Sequence, residues 1–283
     1  MLQAITQRLQ SHFSRSESST LARIVISHFT GWSISRIVAE RNIVVDNATA
    51  EKIDNAINRL LTDEPIQYIL GVGEFFGRQY HCDHRALIPR PETEELVEMI
   101  IADYHHKEGL NILDIGTGTG CIATTLALEI KDSKVDAIDY SPNALSLATE
   151  NAATLKAAVN FVKSDVLKWT EESLKNSPLD KRYDIIVSNP PYIKECEATN
   201  MECNVLQYEP HSALFVPDND PLIFYQHIAL FAARHLTPQG ALYFEINQRL
   251  GGETCQTIHN AGFCNVTLHH DINNNPRIIK ATL

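Results

Sequence analysis

The stretch that most restricts the fold runs from Asn111 to Ile130. An apolar segment, Asn111 to Ile115, contains Asp114 and leads straight into Gly116-Thr117-Gly118-Thr119-Gly120, and Cys121 to Ile130 then has helical character. Strand, glycine loop and helix in direct succession predict one half of a βαβ unit. Glycines let the backbone approach a ligand closely and adopt φ values other residues avoid, while the first helical turn offers its N–H groups. These glycines fall at the first, third and fifth positions, whereas a dinucleotide-binding loop has them at the first, third and sixth. The spacing therefore predicts a ligand site at a strand end and disfavours a dinucleotide.

More strands follow at intervals that fit alternating β and α elements. Val135 to Ile138 ends in Asp139, placed for a carboxylate to accept hydrogen bonds from ribose hydroxyls. Val159 to Val162 leads to Ser164-Asp165, where a carboxylate can accept from an adenine amino group. Both acids also fit a plainer role at turns or helix starts, Asp139 especially, because Ser141-Pro142 follows it. Tyr183 to Val187 and Ala241 to Ile246 read as the fourth and fifth strands. Two final strands, Phe263 to His269 and Arg277 to Leu283, are joined by a connection short enough to predict antiparallel pairing.

Asn189-Pro190-Pro191-Tyr192 directly follows the fourth strand. Two prolines remove two backbone donors and fix φ, so the carbonyls of this turn stay out of a helix. With the side-chain carbonyl of Asn189 added, the turn presents two acceptors for the two N–H bonds of one planar NH2 group. Four such letters alone also read as an ordinary loop. The glycine loop about seventy residues upstream shifts the reading toward a site.

Together, the glycine loop, Asp139, Asp165 and the Asn-Pro-Pro-Tyr turn resemble the class I S-adenosylmethionine-dependent methyltransferases. The resemblance implies an α/β fold, a seven-stranded Rossmann-like sheet with a small N-terminal helical domain. It also implies S-adenosylmethionine as cofactor, held by Gly116, Thr117, Gly118, Thr119, Gly120, Asp139, Asp165, Val166 and Asn189. Asn189, Pro190 and Tyr192 become the expected catalytic residues, and Asn189, Pro190, Pro191 and Tyr192 the expected substrate-binding ones. In that family this turn serves enzymes that methylate an NH2 nitrogen of adenine, cytosine or glutamine.

Further stretches resemble one branch, the glutamine N5-methyltransferases of peptide chain release factors. They are Glu64-Pro65-Ile66-Gln67-Tyr68-Ile69-Leu70-Gly71, Gly73-Glu74-Phe75-Phe76-Gly77, Leu87-Ile88-Pro89-Arg90-Pro91-Glu92-Thr93-Glu94 and Tyr208-Glu209-Pro210-His211-Ser212-Ala213-Leu214. The likeness runs from about residue 28 to the C-terminus. The segment Ile88 to Glu94 sets this branch apart from the glutamine methyltransferase of a large-subunit ribosomal protein, its nearest relative. Two departures stand out: Val166 replaces an aromatic residue after the third-strand acid, and Asp271 to Arg277 replaces a more glycine-rich turn.

The branch implies methyl transfer to the glutamine of a Gly-Gly-Gln motif in class-1 release factors. Asn189 and the Pro190 carbonyl are expected to orient the amide, with Tyr192 packed over its plane and no strong base needed. Glu245, Arg90 and Thr93 are secondary candidates near the site. The expected organisation is a substrate-recognising helical domain over 1–72, a hairpin linker over 73–90 and a catalytic domain over 91–283. The alternatives are an adenine-N6 or other amino-directed nucleic-acid methyltransferase, a ribosomal-protein glutamine methyltransferase, and a non-catalytic cofactor-binding regulator.

Charge bears on that choice. Against 35 acidic side chains the chain has 24 basic ones, and residues 1–87 contain nine of each, so the whole negative excess of 11 lies in 88–283. Nucleic-acid enzymes usually carry a basic patch that neutralises phosphates, so direct nucleic-acid binding is not expected. The six cysteines form no C-x-x-C pair and no zinc-like spacing with histidine, and H-E-x-x-H is missing, which predicts no metal. Leu2, Ile5, Leu9 and Phe13 recur at helical spacing, giving an amphipathic helix and not a signal peptide. With no apolar run of membrane-spanning length, a soluble cytoplasmic protein is expected; a monomer is expected as well.

Overall fold

The computed structural model describes residues 1–40 and 42–283, the side chain of Asn200 apart. In chain order come α1 (Leu2–Leu9), α2 (Arg15–Thr30), α3 (Ile34–Ala39), α4 (Asn47–Leu60) and α5 (Ile66–Leu70). A hairpin follows, β1 (Val72–Phe75) and β2 (Arg78–His81), then α6 (Pro91–Tyr104), β3 (Asn111–Ile115), α7 (Cys121–Glu129), β4 (Lys134–Asp139), α8 (Pro142–Leu155) and β5 (Val159–Lys163). The remainder is α9 (Glu171–Leu174), β6 (Tyr183–Ser188), β7 (Ile193–Lys194), α10 (Cys203–Tyr208), β8 (Phe215–Val216), α11 (Ile223–His235), β9 (Leu236–Glu245), α12 (Gly251–Asn260), β10 (Asn265–His270) and β11 (Pro276–Thr282). These elements divide into two compact units, Met1–Val72 with Glu202–Tyr208, and Gly73–Met201 with Glu209–Leu283.

The helical unit is defined by capping and an apolar interior. Ser14, Ser33 and Asp46 each accept a hydrogen bond from a backbone amide of the first turn of α2, α3 and α4. Gly31 and Gly71 close α2 and α5 in the left-handed conformation, at φ 69° and 71°. Leu9, Ala22, Val25, Ile26, Ile37, Ile53, Ile57 and Leu60 fill the core. The Tyr208 hydroxyl donates to the Thr62 carbonyl at 2.7 Å and ties α10 to this unit.

The second unit is built on a seven-stranded sheet ordered β10-β11-β9-β6-β3-β4-β5. Strands β9, β6, β3, β4 and β5 run parallel, and β11 pairs antiparallel with both β9 and β10. The fold expected from the sequence is the one found. Near-continuous apolar runs in β3 and β6 reflect burial on both faces. Ile112, Val135, Ala137, Ile185 and Val187 pack under α6 and α7, whereas Leu113, Ile115, Ile138 and Ile186 pack under α11 and α12. Most boundaries differ from expectation by a residue or two. Helix α7 ends at Glu129 because Ile130 is already extended, and β9 begins at Leu236, which pairs with Tyr183 before the register shifts.

The β1–β2 hairpin turns at Phe76-Gly77, where both φ values are positive, as a two-residue turn of the right twist requires. Its side chains Phe75 and Tyr80 are fully buried in the α6/α7 core, and the Tyr80 hydroxyl lies 2.9 Å from that of Thr125.

Candidate active site

Strand order reverses at β3, since β4 and β5 lie to one side of it and β6 to the other. Ligands of open α/β sheets bind in the crevice at the carboxyl ends of the strands flanking such a point. Ile115 pairs with Ser188, so the residues that follow, Gly116 and Asn189, leave adjacent strands at the same level. The Ser188 hydroxyl donates to the Ile115 carbonyl at 2.6 Å and locks the two ends together. A cavity of about 330 Å³ opens here, lined by Gly116, Thr117, Gly118, Thr119, Asp139, Asp165, Val166, Asn189, Pro190 and Pro191.

Gly116, Gly118 and Gly120 all have φ between 56° and 78°, a region that strains any other residue. Gly120 lies outside the cavity lining and has a packing role as well: a Cβ there would come within 2.9 Å of the Ala148 Cβ, so it lets α7 approach α8. The amides of Gly116 and Thr117 both donate to the Ile138 carbonyl at 2.9 Å, and that of Gly118 to Asp139 Oδ2 at 3.0 Å. Three loop amides are therefore taken by protein acceptors, whereas a pyrophosphate cradle leaves them for phosphate oxygens. This geometry goes against a dinucleotide.

Asp139 is nearly buried at the end of β4, and its second oxygen accepts the Ser141 amide at 2.9 Å. Burial pushes its carboxyl upward, against the pull of these amide donors. Asp165 accepts from the Leu167 amide at 3.1 Å and pairs with Lys168 at 2.9 Å, so it caps a short turn while facing the cavity. Both acids thus brace backbone amides while lining the cavity. Below the loop, fully buried Asp114 accepts from the Thr117 hydroxyl at 2.6 Å, and desolvation raises its carboxyl to about 7.

The Asn-Pro-Pro-Tyr turn splits between two sides. Asn189, Pro190 and Pro191 line the cavity; Tyr192 does not. Its hydroxyl donates to Glu245 Oε1 at 3.2 Å, and its carbonyl accepts from Asn247 at 3.0 Å. Its phenol is directed to a buried carboxylate, and desolvation together with that charge pushes its ionisation upward. Glu245 lies at the end of β9 beneath the turn, outside the cavity lining, and burial raises its carboxyl. Thr93, in the first turn of α6, does line the cavity. It donates to Glu245 Oε2 at 2.6 Å and accepts from the Asn189 NH2 at 3.1 Å.

Arg90 apart, several wall residues lie where sequence reasoning found only a linker. His84 to Arg90 form one side of the cavity. Buried Glu209 accepts the Ile88 amide at 3.1 Å and pairs with Arg90, fixing that wall. Phe224 and Ile228 on α11 add apolar surface beside Val166. Among the described residues, no group of three or more His, Cys, Asp or Glu could hold a metal ion.

The sheet, the cavity at its switch point and the carboxylates at successive strand ends fit an S-adenosylmethionine-dependent methyltransferase. The comparisons agree. A methyltransferase small domain matches residues 93–208 and a PrmC N-terminal domain matches residues 1–71. The release factor glutamine methyltransferase of Flavobacterium psychrophilum is 42% identical, with 97% of this chain and 95% of that protein covered. The protein of the same name from Bacteroides thetaiotaomicron is 41% identical over 98% and 97%. A 16S rRNA N2 G1207 methyltransferase of T. thermophilus, solved with AdoMet and guanosine, shares the fold at TM-score 0.53 and 17% identity, covering 75% of this chain and 49% of that one. The chain belongs to the release factor glutamine methyltransferase family.

Proposed function

We propose that the protein transfers a methyl group from S-adenosylmethionine to the side-chain amide nitrogen N5 of the glutamine in the Gly-Gly-Gln motif of class-1 peptide chain release factors. The supporting observation is Asn189 at the cavity wall, one residue past a strand end locked to the end of β3, from which the glycine loop departs. The relatives' names supply the substrate class.

The cavity fits the cofactor in chemistry as well as size. Val166, Ile138, Phe224 and Ile228 offer an apolar slot for a planar base, Asp165 a carboxylate at its edge, and Asp139 a carboxylate for vicinal hydroxyls. When bound, S-adenosylmethionine supplies a methyl already activated by a sulfonium. The protein's own work is orientation, because an amide nitrogen is a weak nucleophile whose lone pair is delocalised. Asn189 Oδ1 and the Pro190 carbonyl take the two N–H bonds of the substrate amide and aim its nitrogen, a near-attack arrangement that lowers the entropic part of the barrier. The same acceptors stabilise positive charge growing on that nitrogen. Pro191 keeps the turn's carbonyls out of regular structure, and Tyr192 anchors the turn through Glu245.

Residues 1–72 serve substrate recognition, 73–90 link and wall the site, and 91–283 perform transfer. The enzyme acts as a cytoplasmic monomer and does not bind nucleic acid directly, the last point being supported by the acidic excess of residues 88–283. No helix among the described residues is long and apolar enough to cross a membrane.

The test is incubation with methyl-labelled S-adenosylmethionine and, separately, a release factor, a large-subunit ribosomal protein and duplex DNA. Label on the release factor, abolished by replacing the glutamine of its Gly-Gly-Gln tip, is the expected result. Label on DNA or on the ribosomal protein alone would overturn it.

A further inference from the structure

Three elements distant in sequence meet behind Asn189. Thr93 comes from the first turn of α6, Glu245 from the last residue of β9, and Tyr192 from the turn itself. Phe244 pairs with Ser188 across β9 and β6, which brings Glu245 level with Asn189. Thr93 and Glu245 are both buried, at 3% and 1% exposure, so each polar atom must be satisfied inside the protein.

Counting protons fixes the direction of these contacts. While Glu245 is ionised it accepts and does not donate, so both Thr93 and Tyr192 spend their hydroxyl protons on it, at 2.6 Å and 3.2 Å. A threonine hydroxyl has one proton. Having given it to Glu245, Thr93 Oγ1 faces Asn189 with lone pairs and can pair with the NH2 end of the carboxamide but not with its oxygen. The observed contact, Asn189 Nδ2 to Thr93 Oγ1 at 3.1 Å, obeys this rule. Turned the other way, the carboxamide would set oxygen against oxygen at Thr93 and NH2 against NH2 at an amide substrate.

We propose that Thr93 and Glu245 are positioning residues that hold the Asn189 carboxamide with its oxygen toward the cavity, and so make the site selective for a group that donates two hydrogen bonds. This rests on Asn189 being the acceptor for the substrate amide, and extends that reading to what sets its polarity. Neither Thr93 nor Glu245 needs to touch a reacting atom. Glu245 acts through Thr93, and Thr93 through Asn189.

The experiment compares Thr93→Val, which keeps the shape and removes the hydroxyl, with Thr93→Ser, Thr93→Ala and Asn189→Ala. Each purified full-length variant is assayed for kcat of methyl transfer to a release factor, for S-adenosylmethionine affinity by titration, and for melting temperature. Loss of one well-placed hydrogen bond predicts a fall in kcat of about tenfold for Thr93→Val and Thr93→Ala. Cofactor affinity should stay within about twofold, and Thr93→Ser should recover kcat to within about threefold of the parent. Two results overturn the proposal while leaving Asn189 as acceptor: an unchanged kcat in Thr93→Val beside a large loss in Asn189→Ala, or parallel losses of kcat, cofactor affinity and melting temperature that serine does not restore. An unaffected Asn189→Ala instead removes the reading on which the proposal stands.

Discussion

The helical unit and the sheet unit bury different things. Among the described residues, the helical unit buries one polar side chain, Ser18, and its capping residues Ser14, Ser33 and Asp46 remain exposed at helix ends. The sheet unit buries the carboxyl groups of Asp114, Asp136, Asp139, Glu209, Glu245 and Asp271. Burying a carboxylate costs several kcal/mol unless partners compensate, so packing alone does not favour it. Asp114, Asp139, Glu209 and Glu245 lie in or directly behind the walls of one cavity at the carboxyl edge of the sheet. One unit is organised by apolar burial, the other by apolar burial plus a set of costly, partnered acids.

Variants in each unit should separate these two designs. The largest effect is expected in the helical core: Ile26→Ala removes a fully buried side chain and should cost about 3 kcal/mol in denaturant unfolding, while cofactor affinity holds within about twofold. A large loss of cofactor binding from this change would erase the contrast. In the sheet unit, Asp139→Ala should weaken S-adenosylmethionine binding about a hundredfold by titration, the worth of two hydrogen bonds to a charged acceptor. An unchanged affinity would leave Asp139 as a brace for Gly118 and Ser141 alone.

A smaller, pH-dependent effect sharpens the comparison further. Burial raises the Asp114 carboxyl from 3.8 to about 7, so protonation favours the folded state. Its contribution is complete below a pH of about 4 and is lost as pH rises through about 7. Asp114→Asn should flatten the decline in stability over that window by at least about 1 kcal/mol, seen in urea unfolding at several pH values. Parallel profiles for variant and parent would show that Asp114 does not carry the effect.

How much was legible in the sequence follows the same division between local and distant signals. Gly116, Gly118, Asp139, Asp165 and Asn189 lie at or just past strand ends, positions that periodicity and turn chemistry make readable, and all five line the cavity. The seven strands and the antiparallel final pair were readable for the same reason. Partnerships across long separations were not: Arg90 with Glu209 spans 119 residues and Thr93 with Glu245 spans 152, and no local pattern joins them. Residues 84–90 have no periodicity to mark them as a wall, and Phe224 and Ile228 look like any apolar positions of α11. The contact of Tyr192 with Glu245 was not legible, because a Pro-Pro-Tyr turn specifies that the chain bends, not which buried acceptor its phenol reaches.

The central claim is that Asn189 orients the reacting amide while the glycine loop and Asp139 hold the cofactor. It is tested most directly by measuring, on one preparation of Asn189→Ala, both the single-turnover rate of methyl transfer to a release factor and the affinity for S-adenosylmethionine. The account predicts a rate loss of about a hundredfold or more with affinity within about threefold of the parent. Equal losses in both, or a rate close to that of the parent, would contradict it.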